Sequence, residues 1–356
     1  MKVFYPPVGI AHITRDIKDL FKDRLSDTNN LKIACIFQPK STPHFGSLVV
    51  IFCAFALALR LKKDFNINTV VLLDILENAP GEEVEINKII YTKCLSHIKM
   101  GNISASEFWA NKIYEIADWA SKVSEIKFIK RSYEEIQSRK EFRDGIINIL
   151  NNRFYFEPIF SPADGVLKIR PICPICGLVD KNSATVKFSK SNNIFWKCPI
   201  HNHLNTDIAN SNIIIDCNAP IRTVLRSICF IQDRITSKDE TVIINGADWA
   251  GAWMQRVYFD GLAGFNFFGK TIPFNIFTPE ILDWSGAKLS KTIYLESGAY
   301  DELDASWVTY EAFKNRYGES GLSTLFFEIN SWIDSPKKFF RNYSVDYFKN
   351  IFKDFD

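Results

Sequence analysis

Two short segments, far apart in the sequence, carry residues that could hold and neutralise phosphate groups. The first is Pro39-Lys-Ser-Thr-Pro-His44-Phe-Gly46-Ser47, and the second is Lys288-Leu-Ser290-Lys291-Thr292. In the first segment, His44 can donate a hydrogen bond and Gly46 lets a base or ribose approach the backbone closely. In the second, two lysines flank Ser290 beside a glycine-bearing loop, and such a loop can neutralise charge that develops on a triphosphate.

The elements on either side of the first segment predict how it is positioned. Residues 31–37 form an apolar run with the length and composition of a buried parallel strand. Residues 48–59 are apolar nearly all round, which is typical of a buried helix. A strand, a tight turn and a helix in this order point helix N-terminal amides at a phosphate. The pattern therefore predicts an α/β fold with a doubly wound parallel sheet and an adenine-nucleotide site.

A third segment, residues 241–250, reads as a strand that ends in Gly246-Ala-Asp248. The three segments together resemble the HIGH and KMSKS signatures and the ribose-binding strand end of class I aminoacyl-tRNA synthetases. Ser47 stands where many members have a second histidine, and Thr292 closes the second signature in place of serine. The resemblance implies a Rossmann-like fold with two sets of site residues. The catalytic set is His44, Lys288 and Lys291, and the nucleotide-binding set is Pro39, Gly46, Ser47, Gly246, Asp248 and Ser290.

Eight cysteines fall into two groups, of which one has metal-ligand spacing. Cys173 and Cys176 form a CxxC pair, and Cys198-Pro-Ile-His201-Asn-His203 follows after residues whose alternating pattern predicts a β-hairpin. Three thiolates and one imidazole on two turns predict a structural zinc ribbon with a closed, tetrahedral site. His201 repeats the spacing of the first pair and is preferred to His203 as the fourth ligand. The other five cysteines are expected to be reduced core residues.

The order of the segments sharpens the resemblance. A helical stretch that ends near Arg153 and then a cysteine pair within a connective insertion resemble class I lysyl-tRNA synthetases, over about residues 30–295. The stretch 213–222 is only partly like that family, and residues 293–356 are all that follow the second signature. The resemblance therefore implies a synthetase core that lacks the anticodon-binding region.

The family's chemistry implies that an amino-acid carboxylate, with lysine as the suggested amino acid, attacks the α-phosphate of Mg²⁺-ATP. The product is an aminoacyl adenylate, which passes its acyl group to a tRNA acceptor end or another acceptor. No protein nucleophile is needed for the first step, so positioning and charge stabilisation would carry it. Asp74, at a strand end, has two open interpretations: it faces the substrate amine, or it caps a helix.

Two other functions remain open at this point. One is a nucleotidyltransferase of the wider HIGH-containing superfamily that acts on a substrate other than an amino acid; the predicted zinc ribbon and helical tail argue against it. The other is a non-catalytic paralogue that serves as a binding module, against which the intact signature residues count.

Composition and hydropathy set the remaining expectations. A hydrophobic fraction of 47% over 356 residues allows a large core, and a formal net charge of +2 predicts that any tRNA contact comes from a local patch. The longest apolar run is too short to span a bilayer, so a cytoplasmic protein is expected. The predicted organisation has a first half of the nucleotide-binding domain (1–125), a connective insertion (126–210), a second half (211–292) and a C-terminal helical region (293–356). Within the first half, residues 84–125 are read as two helices.

Overall fold

The computed structural model describes residues 14–189, 192–210, 212–289 and 303–355, without the side chains of 203–205. Its strands range from two to eight residues and belong to six sheets. In chain order the described strands are β1 (Asn30–Phe37), β2 (Asn68–Ile75), β3 (Pro80–Ile86), β4 (Ile89–Cys94), β5 (Lys99–Met100), β6 (Ile103–Ser104), β7 (Phe128–Ser132), β8 (Ile169–Pro171), β9 (Leu178–Asp180), β10 (Lys187–Phe188), β11 (Asn193–Cys198), β12 (Asn202–Asp207), β13 (Ile215–Cys217), β14 (Asp239–Gly246), β15 (Phe274–Thr278), β16 (Ile281–Leu282) and β17 (Tyr343–Ser344).

The helices cover both faces of the largest sheet and fill the C-terminal region. The described α-helices are α1 (Lys22–Leu25), α2 (Phe45–Phe65), α3 (Ala105–Ser124), α4 (Tyr133–Ser138), α5 (Lys140–Asn151), α6 (Arg153–Phe160), α7 (Ala219–Ser237), α8 (Asp260–Ala263), α9 (Tyr310–Ile333), α10 (Pro336–Phe339) and α11 (Val345–Ile351). Single 3₁₀ turns occur at Ile17–Leu20, Leu95–His97, Ala247–Trp249, Gly269–Thr271, Ala305–Trp307 and Lys353–Phe355, and Met254–Phe259 is a π-helix.

Five parallel strands form the central sheet, in the spatial order β15–β14–β1–β2–β7. Alternate residues of β1 point to opposite faces: Ile33 and Cys35 join the core beside α2, while Ala34 joins the core beside α7. Both faces are therefore covered by helices, which explains why the strand sequences are nearly continuous apolar runs. The predicted α/β class with a parallel sheet is confirmed, and the strand order is consistent with a Rossmann-like fold.

The sheet includes β7, which begins at Phe128 and pairs with β2. The central sheet thus continues a few residues into the range expected for the connective insertion. The division of the chain into four parts otherwise stays a prediction.

Helix α2 is longer than the apolar run that predicted it. It begins after His44 and ends at Asn66, which adopts a left-handed conformation (φ 48°). Of the described helices, it alone is long and apolar enough to cross a membrane by length and composition. Most of its residues are buried between the sheet and the helices α3 and α9, as expected of a core helix.

The prediction of two helices over residues 84–125 is wrong for residues 84–104. They form the hairpin β3–β4 and the short pair β5–β6, and only α3 is a helix in this part of the chain. Asn87 and Lys88 make the hairpin turn with positive φ values of 52° and 64°. Strand β4 also pairs with β9, so the hairpin gains a third strand from the cysteine-bearing segment. This tertiary pairing overrides the weak helical pattern of the sequence.

The C-terminal helices share the core of the central sheet. Aromatic side chains of α9 and α11 pack on Phe45 and Trp307, with ring centroids 5.1–5.9 Å apart in the three contacts Phe45–Trp307, Phe45–Phe348 and Trp307–Phe313. Two backbone hydrogen bonds also join this region to the start of α2, from Phe45 N to Val308 O and from Tyr310 N to Pro43 O, each 2.9 Å. The helical tail therefore fixes the turn that precedes α2.

Candidate functional site

A cavity of about 260 Å³ opens at the carboxyl ends of β1 and β14. These strands are neighbours at the centre of the sheet, where the chain order reverses, and such a switch point is where open α/β sheets bind ligands. The residues that line it come from both signature segments and from the ends of three strands. They include His44, Gly46, Ser47, Asn245, Gly246, Asp248, Thr278 and Lys288.

His44 stands at the start of α2 as its N-cap. Its Nδ1 accepts a hydrogen bond from the backbone N–H of Ser47 at 3.1 Å. Gly46 is required beside it, because a Cβ at that position would lie 2.9 Å from both Nδ1 and Cε1 of the imidazole. The histidine and the glycine of the first signature therefore depend on each other for their positions.

Asp248 and Lys288 bring the second and third segments together across the cavity. Lys288 Nζ donates to Asp248 Oδ2 at 2.5 Å, and both side chains remain partly exposed. Gly246 has the same steric role as Gly46, since a Cβ there would lie 2.5 Å from Asp248 Oδ1. The lysine is therefore held at the cavity mouth by a carboxylate that a ligand could displace.

The loop before Lys288 is organised by a residue that sequence reasoning missed. Asp283 is 7% exposed, and its Oδ1 accepts hydrogen bonds from the N–H groups of Ser285 and Ala287 at 2.8 and 3.1 Å. The Asp-x-Ser spacing before a glycine is a known turn signal that could have identified it. Two predicted site residues of this loop, Ser290 and Lys291, lie outside the described residues.

Pro39 and Thr278 lie at different positions relative to the cavity. Pro39 is buried just after β1 and is absent from the lining of the cavity, so its predicted nucleotide contact stays a prediction. Thr278, at the end of β15, lines the cavity with only 1% exposure, and its Oγ1 has no hydrogen-bond partner among the described residues. A buried hydroxyl without a partner is costly, and a bound ligand could satisfy it.

A second cavity of about 350 Å³ adjoins the first and shares His44, Ser47, Asn245 and Trp249 with it. The rest of its lining includes Gln38, Ser41, Thr42 and Pro43 and, from the first turns of α7, Arg222 and Arg226. The spacing of these arginines, i and i+4 in an apolar helix, could have indicated a shared buried face.

Asp74 has neither of the two roles considered from the sequence. It lies within β2, fully buried, and accepts two hydrogen bonds from Arg131 (2.7 and 2.9 Å) and one from Arg226 (2.5 Å). Burial alone would raise the pKa of Asp74, but the two guanidinium groups outweigh it and hold the pKa below its usual value. Asp74 is therefore an ionised anchor for two arginines rather than a substrate ligand or helix cap.

Cys173, Cys176, Cys198 and His201 form the predicted cluster, with their ligand atoms all within 4.8 Å of one another. Cys176 Sγ lies 3.6 Å from Cys198 Sγ, and His201 Nδ1 lies 3.6 and 3.7 Å from the sulfurs of Cys173 and Cys198. Ligands bound at about 2.3 Å to a tetrahedral zinc would be roughly 3.8 Å apart, so the spacing and the donor set both fit Zn²⁺. The side chain of His203 lies outside the described residues.

The surroundings of the cluster are built to support it. The backbone N–H groups of Ile175 and Cys176 donate to the sulfur of Cys173. His97 packs against Gly177 (φ 72°), and its Nε2 is 3.3 Å from the carbonyl oxygen of Pro174. The first cysteine turn is thus held by the hairpin segment that precedes α3.

No protein-family model and no curated protein sequence matches the chain. Among solved structures, it is similar to a "putative arginyl tRNA synthetase" from Campylobacter jejuni, with 9% sequence identity and a TM-score of 0.36. That match covers 86% of this chain and 66% of the other, so the chain spans about two thirds of that protein's length. A similarity this low assigns neither a family nor an activity to this chain.

Proposed function

We propose that this protein uses ATP to activate a carboxylate, forming an acyl adenylate in the manner of a class I aminoacyl-tRNA synthetase. The observation that carries the proposal is the convergence of His44, Gly46, Asp248 and Lys288 on one cavity at the switch point of a parallel sheet. These residues come from three segments that are far apart in the sequence, and each was predicted as part of one nucleotide site.

The proposed roles follow from position and charge. The first N–H groups of α2 and the His44 imidazole would face the phosphates, because a helix N-terminus favours negative charge. Asp248 would accept hydrogen bonds from the ribose hydroxyls, which releases Lys288 from its ion pair to meet the phosphates. Lys291 would act with Lys288. Magnesium would add positive charge on the phosphates of the bound ATP.

The finer parts of the proposal come from the sequence resemblance. It names an amino acid as the substrate, with lysine first, and a tRNA acceptor end or another molecule as the acyl acceptor. Zinc would have a structural role at the Cys/His cluster, because all four ligand positions are filled by protein. A cytoplasmic location is part of the same proposal.

The test is amino-acid-dependent exchange of pyrophosphate into ATP, screened over the standard amino acids. Lys288→Ala should lower the exchange rate by about 100-fold, which is the typical cost of one electrostatic contact to the transition state. Lys140→Ala is the matched control, since it also removes an exposed lysine from a carboxylate pair but lies outside the cavity.

The alternatives give different results in the same assay. Pyrophosphate exchange that needs another cosubstrate and no amino acid would favour the nucleotidyltransferase. ATP binding without any exchange would favour a non-catalytic paralogue. Exchange that is unaffected by Lys288→Ala would contradict the role given to this cavity.

A further inference from the structure

We propose that the second cavity binds a negatively charged carboxylate of the substrate, so that the activated molecule is an acidic amino acid rather than lysine. This inference rests on the proposed function, since it assigns the substrate pocket beside the proposed ATP site. The cavity is lined by two arginines, Arg222 and Arg226, and by no aspartate or glutamate.

Arg222 carries the argument. It is 8% exposed, and its Nη1 donates to the carbonyl oxygen of Cys217 at 2.9 Å. Within the part of the chain that the structure describes, no carboxylate forms an ion pair with it. Buried charges in proteins are normally paired, because removing an ion from water without a partner is strongly unfavourable. An arginine that lines a cavity in this state is a ready site for an anion.

The charges behind the cavity wall point the same way. Arg226 is 3% exposed and shares the single carboxylate of Asp74 with Arg131. Two guanidinium groups therefore share one carboxylate, and Arg222 adds a further positive charge to the lining of the same cavity. A lysine side chain would bring a further positive charge to this wall, whereas a carboxylate would form charge-assisted hydrogen bonds with it.

The rest of the lining suits an amino acid with a short apolar stem. Leu76 and Ile113 give apolar surface on one side, and Trp249 and Trp253 lie in edge-to-face contact on another, with ring centroids 4.6 Å apart. His44 and Ser47 border both cavities, so a substrate held here has a direct path to the proposed phosphate site. One carboxylate would bind the arginines while the α-carboxylate reaches the ATP.

In the activation step, an oxygen of the α-carboxylate forms a bond to the α-phosphorus of ATP. The bond between that phosphorus and the oxygen bridging to the β-phosphate breaks, and pyrophosphate leaves with the bonding electron pair. The carboxylate at the arginines takes no part in bond formation and serves only for recognition.

The experiment compares amino acids whose side chains differ in charge, with glutamate and glutamine as the isosteric pair. Pyrophosphate exchange is measured with glutamate, aspartate, glutamine and lysine on the full-length protein, and binding of the same compounds is measured by calorimetry. We expect an acidic amino acid to exceed glutamine and lysine by at least about 100-fold in kcat/KM, because a site built for a charged partner rejects the neutral isostere. Arg222→Met should remove most of that preference while changing ATP affinity by less than about twofold, and Arg222→Lys should restore part of it.

Each outcome decides between the two proposals. Exchange that prefers lysine or a neutral amino acid overturns the acidic substrate and leaves adenylate formation standing. If no amino acid supports exchange, calorimetry with glutarate and succinate decides: binding that is lost in Arg222→Met supports the anion site without the amino-acid reaction. The inference is overturned if glutamate, aspartate, glutarate and succinate all fail to bind a protein that still binds ATP. It is also overturned if orthophosphate binds at least as tightly as glutamate. The substrate preference is measured on the unmodified protein, so this part of the test holds even if Arg222→Met fails to fold.

Discussion

The dependence of His44 on Gly46 gives a prediction that separates activity from stability. In Gly46→Ala, the new Cβ would lie 2.9 Å from two atoms of the imidazole. Unstrained carbon contacts are about 3.5–4.0 Å, so the ring must retreat by roughly 0.5–1 Å. This displacement weakens the hydrogen bond from the Ser47 N–H to Nδ1, which caps α2.

In Gly46→Ala, the loss of the helix cap and the gain from replacing a helical glycine nearly cancel in the free energy of unfolding. Losing an N-cap costs about 1 kcal/mol, and alanine in place of glycine in a helix contributes about 0.5–1 kcal/mol of stability. The variant should therefore unfold within about 1 kcal/mol of the unmodified protein. The exchange rate should fall by about 100-fold, because a shift of about 1 Å in a positioned group has that effect.

A double-mutant cycle with His44→Ala tests the mechanism. Without the imidazole there is nothing for the new Cβ to displace, so adding Gly46→Ala should raise the stability of His44→Ala by about 0.5–1 kcal/mol. It should cause no further loss of exchange activity. Urea denaturation and pyrophosphate exchange measure the two quantities. A loss of activity that persists at full size in the His44→Ala background would refute the reasoning.

Two further predictions concern the buried charges and the metal. Cys173→Ser should lower the bound zinc from one per chain to less than about one fifth and should destabilise the protein. Cys229→Ser lies outside the cluster and should keep its zinc. Elemental analysis measures both variants, and an unchanged zinc content in Cys173→Ser would contradict the site. Asp74→Asn should lower the free energy of unfolding by about 3–5 kcal/mol because it leaves the buried guanidinium of Arg226 and the partly buried one of Arg131 without a carboxylate, and Asp144→Asn in an exposed pair should lower it by less than about 0.5 kcal/mol. Because the pKa of Asp74 lies below its usual value, the stabilisation that its carboxylate provides should be complete above about pH 4 and should disappear as the pH falls through the lowered pKa. A difference in stability between Asp74→Asn and the unmodified protein that persists at the lowest pH would contradict this.

The sequence was informative wherever a signal is local. The run 31–37 predicted a buried strand that the structure extends by one residue to Asn30–Phe37, and the turn at His44 followed from the apolar segments on both sides. The Cys/His cluster could be predicted because its ligands occupy two short segments with fixed spacing, and metal geometry then determines how those segments meet.

The residues that could not be predicted depend on distant partners. Asp74 is bound by Arg131 and Arg226, which lie on β7 and α7, and nothing in the sequence near Asp74 indicates either contact. The hairpin at residues 80–94 could not be predicted either, because its strand β4 pairs with β9 in the distant cysteine segment. Lys288 was predicted as a phosphate contact, but its ion pair with Asp248 depends on two loops meeting across the cavity.

The hydrogen bonds between the His44 turn and residues 308–310 have a consequence for biosynthesis. The ribosome synthesises the turn before α2 early, whereas its hydrogen-bond partners Val308 and Tyr310 follow after most of the chain has been made. Domains fold as their residues emerge, and contacts between distant parts of a sequence form last. The nascent chain can build the sheet around β1 and β2 while the backbone of Pro43 and Phe45 still lacks its hydrogen bonds to residues 308–310. The backbone turn before α2 therefore gains its final hydrogen bonds only after residues 308–310 have been synthesised.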